Sequence, residues 1–395
     1  MTDSVPASPA DEAAAANLEL LARTPEEWER ALAELGEPKY RARQIFRWIQ
    51  QRGVFDAESM SDLALGLRKR LATLGLNAPA QVGRVQRSRD GTRKLLLELS
   101  GSARVECVLI PMTSLDTDAD SGAVVEDEGE PPEEPGKTRV TLCISTQYGC
   151  AMGCRFCASG RAGLLRGLKA SEIVAQVLIS RRYLEPNEEL KNLVFMGMGE
   201  PLHHYDETVR ALRLLMHPDG LGMSPRRITV STVGLVPGIR KLGQDFDGKI
   251  GLAISLHAPN DTIRSQLMPM NDRYPIAELI AALRAYPLPR RRRITIEYTL
   301  IDGVNDRDEH ALALGRLLRE IPVKINLIPM NPVAGSGYAA PSNTRVSAFQ
   351  SQLANMGLSC FVRTRRGDEV DAACGQLALA PDAVVPLRKS REASD

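Results

Sequence analysis

The apolar positions change period twice along the chain. From residue 17 to residue 78 they recur every three or four residues: Trp28, Leu32 and Leu35, then Ile45, Phe46, Trp48 and Ile49, then Leu63, Leu67 and Leu71. That spacing puts them on one face of successive helices. Thr24-Pro25-Glu26-Glu27 reads as a capping box with proline at the first helical position, and Gly36 as the stop. Both tryptophans are expected in the core of this small helical unit. Residues 81–110 switch to alternation. Val82 and Val85 precede Asp90-Gly91, a hairpin signal, and Leu95, Leu97 and Leu99 are followed by Val105, Cys107 and Leu109. A small antiparallel sheet ending at Glu106 is expected.

From residue 138 short β-branched runs alternate with helical patterns. Strands are predicted at 139–146, 192–197, 227–232, 250–256, 293–300 and 322–328. Helices are predicted at 170–183, 205–216, 236–245, 275–285, 306–320 and 343–356. Six βα units with right-handed crossovers imply a parallel sheet curled into a full or partial barrel. The fold class is therefore α/β: a partial (β/α)6 barrel with a small N-terminal helical domain and a short antiparallel β segment. Functional residues are expected at the C-terminal ends of the strands.

Composition refines the domain map. Residues 113–137 hold nine acids and one base, so a chain of formal charge +1 carries +9 outside that segment. Few large apolar residues and three prolines mark it as a solvated insertion. The expected organisation is a disordered tail over 1–16, the helical domain over 17–78 and the β segment over 79–112. The insertion over 113–137, the barrel with a C-terminal loop over 138–380 and a tail over 381–395 follow. Basic runs at Lys39 to Arg52, Arg290–Arg293 and Arg363 to Arg366 are read as lying around one site and meeting an anionic partner. No apolar run nears the roughly 18 residues that span a bilayer. No signal peptide is evident, so a cytoplasmic location without a membrane partner is expected. Seven cysteines, an odd count in a long chain, favour metal or redox chemistry over a disulfide framework.

Three of those cysteines stand together. The first strand runs into Cys150-Ala-Met-Gly-Cys154-Arg-Phe-Cys157, a C-x3-C-x2-C spacing with no fourth cysteine nearby. Three thiolates on one loop hold three irons of a [4Fe–4S] cluster and leave the fourth iron open. Zinc is the competing occupant, although a structural zinc site wants a fourth ligand.

Placed at the end of a first βα strand, this loop resembles that of the radical S-adenosylmethionine (SAM) superfamily. Met196-Gly-Met-Gly-Glu-Pro201, at the end of the second strand, resembles the segment that contacts the SAM amino group. Several further stretches resemble the RlmN/Cfr family of RNA methyltransferases. They are Leu142-Cys143-Ile-Ser-Thr-Gln-Tyr-Gly-Cys150, Ser231-Thr232 before Gly234, Ser255-Leu256-His257-Ala-Pro-Asn260, Ile328-Pro-Met-Asn331-Pro332, and Arg365 to Asp368 leading to Cys374-Gly375-Gln376-Leu377. The resemblance covers residues 17–380 and extends to Gly36-Glu-Pro-Lys-Tyr-Arg-Ala-Arg43, which matches the family's RNA-binding accessory domain. The acidic insertion and the N-terminal tail depart from it.

The resemblance implies an enzyme that methylates C2 of adenosine in 23S rRNA and of the adenosine beside the anticodon in tRNAs. It implies one [4Fe–4S] cluster on Cys150, Cys154 and Cys157, two SAM molecules per turnover, a flavodoxin-like electron donor and a monomer. SAM contacts are carried over to Gly199, Glu200, Ser231, Ser255, Leu256, His257 and Asn331. C2 of adenine is too poor a nucleophile to attack the SAM methyl, so the reaction is divided by covalent catalysis. By the resemblance, Cys374 takes a methyl as S-methylcysteine, and a 5′-deoxyadenosyl radical activates that methyl for addition to C2. The resemblance likewise gives Glu106 as the base that removes the C2 proton and Cys143 as the thiol that resolves the adduct through a transient disulfide with Cys374. A Cfr-like methylation at C8 uses the same two cysteines. The N-terminal match and the Asp368–Leu377 stretch favour C2. An iron–sulfur RNA-binding or electron-transfer protein is the non-enzyme alternative.

Overall fold

The structure is a computed structural model, and it describes residues 19–112, 136–363 and 365–377. The tails expected at 1–16 and 381–395, and nearly all of the acidic insertion, lie outside the described residues.

The helical start follows its sequence signals. Thr24 caps helix α1 (Pro25–Glu34): its Oγ1 accepts from the Glu27 amide, and its own amide donates to the Glu27 carboxylate. Trp28, Leu32, Ile45, Phe46, Ile49, Leu67 and Leu71 form the buried core of this unit. Trp48 departs from expectation. It is half-buried, its indole N–H donates to Asp62, and the Arg52 guanidinium lies 4.0 Å from its ring. An indole has a polar edge to satisfy and a face that attracts a cation, and at this position both needs are met at the surface.

Among the described residues, ten strands form one mixed sheet. β1 (Ala80–Arg87), β2 (Arg93–Leu99) and β3 (Arg104–Pro111) are antiparallel, and β3 pairs antiparallel with β4 (Thr138–Cys143). From β4 the sheet continues in parallel through β7 (Glu188–Phe195), β8 (Ile228–Thr232), β9 (Gly251–Ser255), β10 (Ile294–Leu300), β11 (Val323–Pro329) and β12 (Ser359–Val362). β5 (Gln147–Gly149) and β6 (Leu164–Gly167) form a separate small hairpin. The antiparallel segment is thus the edge of the barrel sheet rather than a separate layer, and β3 runs past Glu106 to Pro111. A seventh parallel strand, β12, was not anticipated. It is only four residues long and half-exposed, whereas β10 runs for seven residues, all buried.

Strand direction corrects one expectation. Arg290–Arg293 immediately precedes β10, so this run sits at the N-terminal end of the parallel strands, whereas the cysteine loop follows the C-terminal end of β4. It cannot belong to the same site as Arg363, which follows the C-terminal end of β12.

One buried ion pair fastens the antiparallel edge to the barrel. Arg93 on β2, with 2% side-chain exposure, makes a two-pronged contact with Glu188 at the start of β7, at 2.7 and 2.8 Å. Removing one partner strands the other charge. Arg93→Ala should lower stability by about 3–5 kcal/mol, read from urea unfolding, while an Arg93→Met/Glu188→Leu double replacement should recover most of the loss.

Candidate active site

Ser145, two residues past β4, joins the elements that surround the site. Its Oγ donates to the Glu106 carbonyl on β3 (2.6 Å) and accepts from the Met198 amide beyond β7 (2.8 Å). Its backbone pairs twice with Gln176 of the helix Ala170–Ser180, each bond 2.8 Å. The Met-Gly-Met-Gly-Glu segment is drawn tight against this strand end. A Cβ on Gly197 would come within 2.6 Å of Ser145 Oγ, and one on Gly199, at φ +104°, within 2.6 Å of the Gln147 side chain. Gln147 Oε1 then accepts from the Glu200 amide (3.0 Å). The glycines are there because the backbone approaches too closely for any side chain.

These loops enclose a cleft with about 1030 Å³ of empty space, part of it open to solvent. Cys150, Cys154 and Cys157 line it, together with Gly199, Glu200, Ser231, Ser255, His257, Asn331 and Cys374. Leu256 alone of the expected SAM contacts does not. Its side chain is buried in the hydrophobic core and its carbonyl accepts from Arg264 Nε. Burial raises the thiol pKa of Cys150 and Cys157 and of Cys154 between them, so the thiolate form calls for positive charge from a bound group. No three His, Cys, Asp or Glu groups among the described residues converge tightly enough for a single metal ion. Three thiols from one loop that line the same cleft are a donor set that fits three irons of a cluster.

The polar lining fits a zwitterionic ligand. Both carboxylate oxygens of Glu200 accept backbone N–H groups, from Leu202 (3.0 Å) and Val233 (2.8 Å), yet full burial raises its pKa to about 7. A cationic amine at this point would restore the charged form. Asn331 Nδ2 donates to the Cys374 carbonyl (2.9 Å), while its Oδ1 is buried with no partner, an acceptor waiting for a donor. His257 sits at φ +52°, stacks edge-on with Phe156, and accepts the Thr299 amide on Nδ1 (2.9 Å). Burial, with Arg264 nearby, pushes its pKa down to about 3, so its ring is neutral. Arg264, fully buried on the unanticipated helix Asp261–Leu267, donates to the carbonyls of Val233, Leu256 and Tyr274 and to Asn271. It ties the loops after β8 and β9 into one wall.

A second cavity adjoins the first and shares Ile328, Asn331, Arg363 and Cys374 with it. Ile110, Thr141, Val194, Arg365 and Arg366 line its other sides. Cys374 is exposed on the wall between them. Cys143 and Glu106 line neither, but they share a sheet face with the second cavity: Ile110 pairs with Thr141 and Val108 with Cys143, so residues 106, 108 and 110 of β3 point with 141 and 143 of β4. Cys143 is buried and senses the charge of both Cys374 and Arg363. Glu106 is buried rather than surface-exposed, with Lys94 Nζ 3.0 Å away, and Lys94 also reaches the Asp371 carbonyl on the C-terminal loop. All seven cysteines are free in this structure, so no Cys143–Cys374 disulfide is present.

Sequence reading missed Gln147, Arg264, Glu297 and Arg363 as contributors. Glu297 carried a signal, since an acid inside the apolar strand Ile-Thr-Ile-Glu-Tyr-Thr-Leu must be buried with a purpose. Arg363 was noticed only as part of a charge run.

Two family descriptions match the chain: the radical SAM superfamily over residues 144–315, and the ribosomal RNA large subunit methyltransferase N-terminal domain over residues 18–75. The dual-specificity RNA methyltransferase RlmN of Sorangium cellulosum is 56% identical over 369 residues, covering 91% of this chain and 95% of that protein. The protein of the same name from Marinobacter nauticus is 43% identical over 370 residues, covering 92% and 93%. The crystal structure of a radical SAM methyltransferase from Sphaerobacter thermophilus superposes with a TM-score of 0.80 at 43% identity, covering 91% of this chain and 98% of that one.

The neutral His257 makes a pH prediction. With its pKa near 3 folded and about 6.5 unfolded, the unfolded chain binds the extra proton between those values, so this residue's contribution fades as pH falls through that window. Glu200, raised to about 7, has the opposite slope between about 4.5 and 7. The stability advantage of wild type over His257→Asn should shrink by about 1.5 kcal/mol from pH 6.5 to pH 5. Urea midpoints at the two pH values measure it, and a pH-independent difference would refute the neutral assignment.

Proposed function

The chain belongs to the RlmN family of radical SAM RNA methyltransferases, and from that premise we propose how its residues divide the reaction. It is a SAM-dependent enzyme whose substrate is RNA. We propose methylation of C2 of adenosine in 23S rRNA and in tRNA beside the anticodon. The observation that carries this reading is the position of Cys374 on the wall shared by two cavities, one lined by the three-cysteine loop and one by arginines. A methyl carrier must face its donor on one side and its acceptor on the other.

Membership of the superfamily implies a [4Fe–4S] cluster and SAM. In our reading one cluster is held by Cys150, Cys154 and Cys157. Gly199, Glu200, Ser231, Ser255, His257 and Asn331 form the SAM site, and Leu256, carried over by resemblance, packs behind it in the core. When bound, cluster and SAM supply the radical that activates the methyl group. A flavodoxin-like donor provides the electron, a second SAM is the methyl source, and the enzyme acts as a monomer. The chain's own residues do the rest. Glu200 receives the SAM amine, and the free Oδ1 of Asn331 accepts a hydrogen bond from the ligand. Cys374 carries the methyl to the base. Glu106, held beside Lys94 on the face that looks into the second cavity, takes the C2 proton. Cys143, on the same face, attacks the Cys374 sulfur; the S–CH2 bond breaks towards the base, whose new carbon takes up a proton, and an external reductant returns the resulting disulfide to two thiols.

The target adenine enters the second cavity unstacked, as enzymes acting on bases require. Arg365 and Arg366 at its rim meet the phosphates, and the helical domain over 17–78 adds a basic surface from Lys39 to Arg52. No helix among the described residues is long and apolar enough to cross a membrane.

Deleting the gene should abolish 2-methyladenosine in 23S rRNA and tRNA while leaving C8 untouched, as read by mass spectrometry of the nucleosides. Loss of 8-methyladenosine instead would overturn the regiochemistry. The two cysteines should fail differently. Cys374→Ala should place no methyl on protein or RNA. Cys143→Ala should still form the adduct but not resolve it, giving a covalent RNA–protein band on a denaturing gel. Normal turnover by either variant would sink the two-cysteine assignment.

A further inference from the structure

Arg363 is the only lysine or arginine among the described residues that lines both cavities. It follows β12, and its amide donates to the Leu327 carbonyl (2.8 Å), which anchors its backbone to β11. Its Nη1 lies 3.8 Å from Cys374 Sγ. The same nitrogen is 4.0 Å from Oε2 of Glu297, a carboxylate buried in the middle of β10. The other Glu297 oxygen accepts from Nδ2 of the fully buried Asn326 (3.0 Å). A line of contacts therefore runs from the sheet interior through Asn326, Glu297 and Arg363 to the sulfur of Cys374.

Resting on the function proposed above, we propose that Arg363 is a catalytic residue that stabilises the Cys374 thiolate, with Glu297 as the positioning residue that holds the guanidinium against it. Only the thiolate attacks a methyl group efficiently, and a free cysteine at neutral pH is mostly thiol. A cation within about 4–6 Å favours the thiolate. Arg363 suits this role because its guanidinium stays charged in a partly buried cavity, and Glu297 offsets the cost of desolvating it. The step balances. The thiol proton leaves to solvent, to which Cys374 is exposed. The thiolate electron pair then forms the S–CH3 bond, and the donor's S–CH3 bond breaks with its electrons returning to the SAM sulfur. A thiolate and a sulfonium become two neutral thioethers. As the negative charge on Cys374 is consumed, the guanidinium remains available to Cys143, the second thiol that senses it.

The test reads thiol chemistry directly. Cluster-loaded wild type, Arg363→Met, Arg363→Gln and Arg363→Lys are treated with iodoacetamide, a neutral reagent. Carbamidomethylation of the unmethylated Cys374 is followed by peptide mass spectrometry, and thermal melting checks the fold. A tenfold loss of thiolate is partly offset by the greater nucleophilicity of a more basic sulfur. The neutral variants should therefore react about threefold to tenfold more slowly. Arg363→Lys should recover most of the rate. An unchanged rate in a folded neutral variant overturns the proposal, as does an equally slow Arg363→Lys, which would make the role one of shape rather than charge. Failure of both neutral variants to fold while Arg363→Lys folds would make the charge structural and also overturn it. The separate finding that wild-type Cys374 never gains a methyl on incubation with SAM would strike the proposed function. The alkylation rates would still report on the contact itself.

Discussion

The site depends on the fully buried hydroxyl of Ser145. One oxygen donates to β3, accepts from the loop after β7, and sits on a backbone bonded twice to Gln176. Each such bond adds only about 1 kcal/mol net, but leaving a buried partner unsatisfied costs more. The consequence is geometric. Glu106 lies on β3, Cys143 ends β4, the glycine segment follows β7 and the cysteine loop follows Ser145. One polar node thus sets Glu106, Cys143, the glycine segment and the cysteine loop relative to one another, although 113–135 separates the first two in sequence.

Around this node the charges are few and restrained. Arg264 is buried but spends its donors on loop carbonyls, so it acts as a clamp. His257 is kept neutral, and Glu200 is poised between charge states by burial against backbone donors. The three cluster thiols lie in surroundings that disfavour their ionisation until a cationic group arrives. A low-dielectric cleft with little fixed charge lets a bound sulfonium and a bound cluster dominate the local field. Arg363 is the exception, placed against the thiol of Cys374.

The fold was legible wherever periodicity was strong. The helix predicted over 205–216 occupies Tyr205–Met216, and the one over 236–245 occupies Val236–Phe246, because each has a single apolar face with a clear start. The missed elements lacked such patterns. The β5–β6 hairpin has strands of three and four residues, the helix Asp261–Leu267 is two turns long, and β12 is half-exposed. The family resemblance supplied the glycine segment, Ser231, Ser255, His257 and Asn331, and the strand-end rule agreed with each. That rule could not say that Leu256 turns into the core, since a strand end fixes a position and not a side chain's direction. Charge runs were the poorest guide. Arg290–Arg293 and Arg363–Arg366 look alike in sequence, yet they fall at opposite ends of parallel strands.

That last contrast explains why the proposed carrier thiol is on a loop. A residue within the parallel strands would be buried on one face, as Cys143 is, and could not present itself to two ligands in turn. Cys374 instead follows β12 on a segment fixed on both sides of the thiol: Asn331 grips its carbonyl, the Gly375 carbonyl accepts from Ala158 beside the cysteine loop, Lys94 reaches the Asp371 carbonyl, and Arg363 faces its sulfur. Asn331 and Ala158 belong to the barrel mouth, so the loop is pinned across the opening and divides it into two cavities. The partition is thus built from the same residue that we propose as the methyl carrier. Access to donor and acceptor from one sulfur follows from the loop's position, and only a thiol at this boundary has that access.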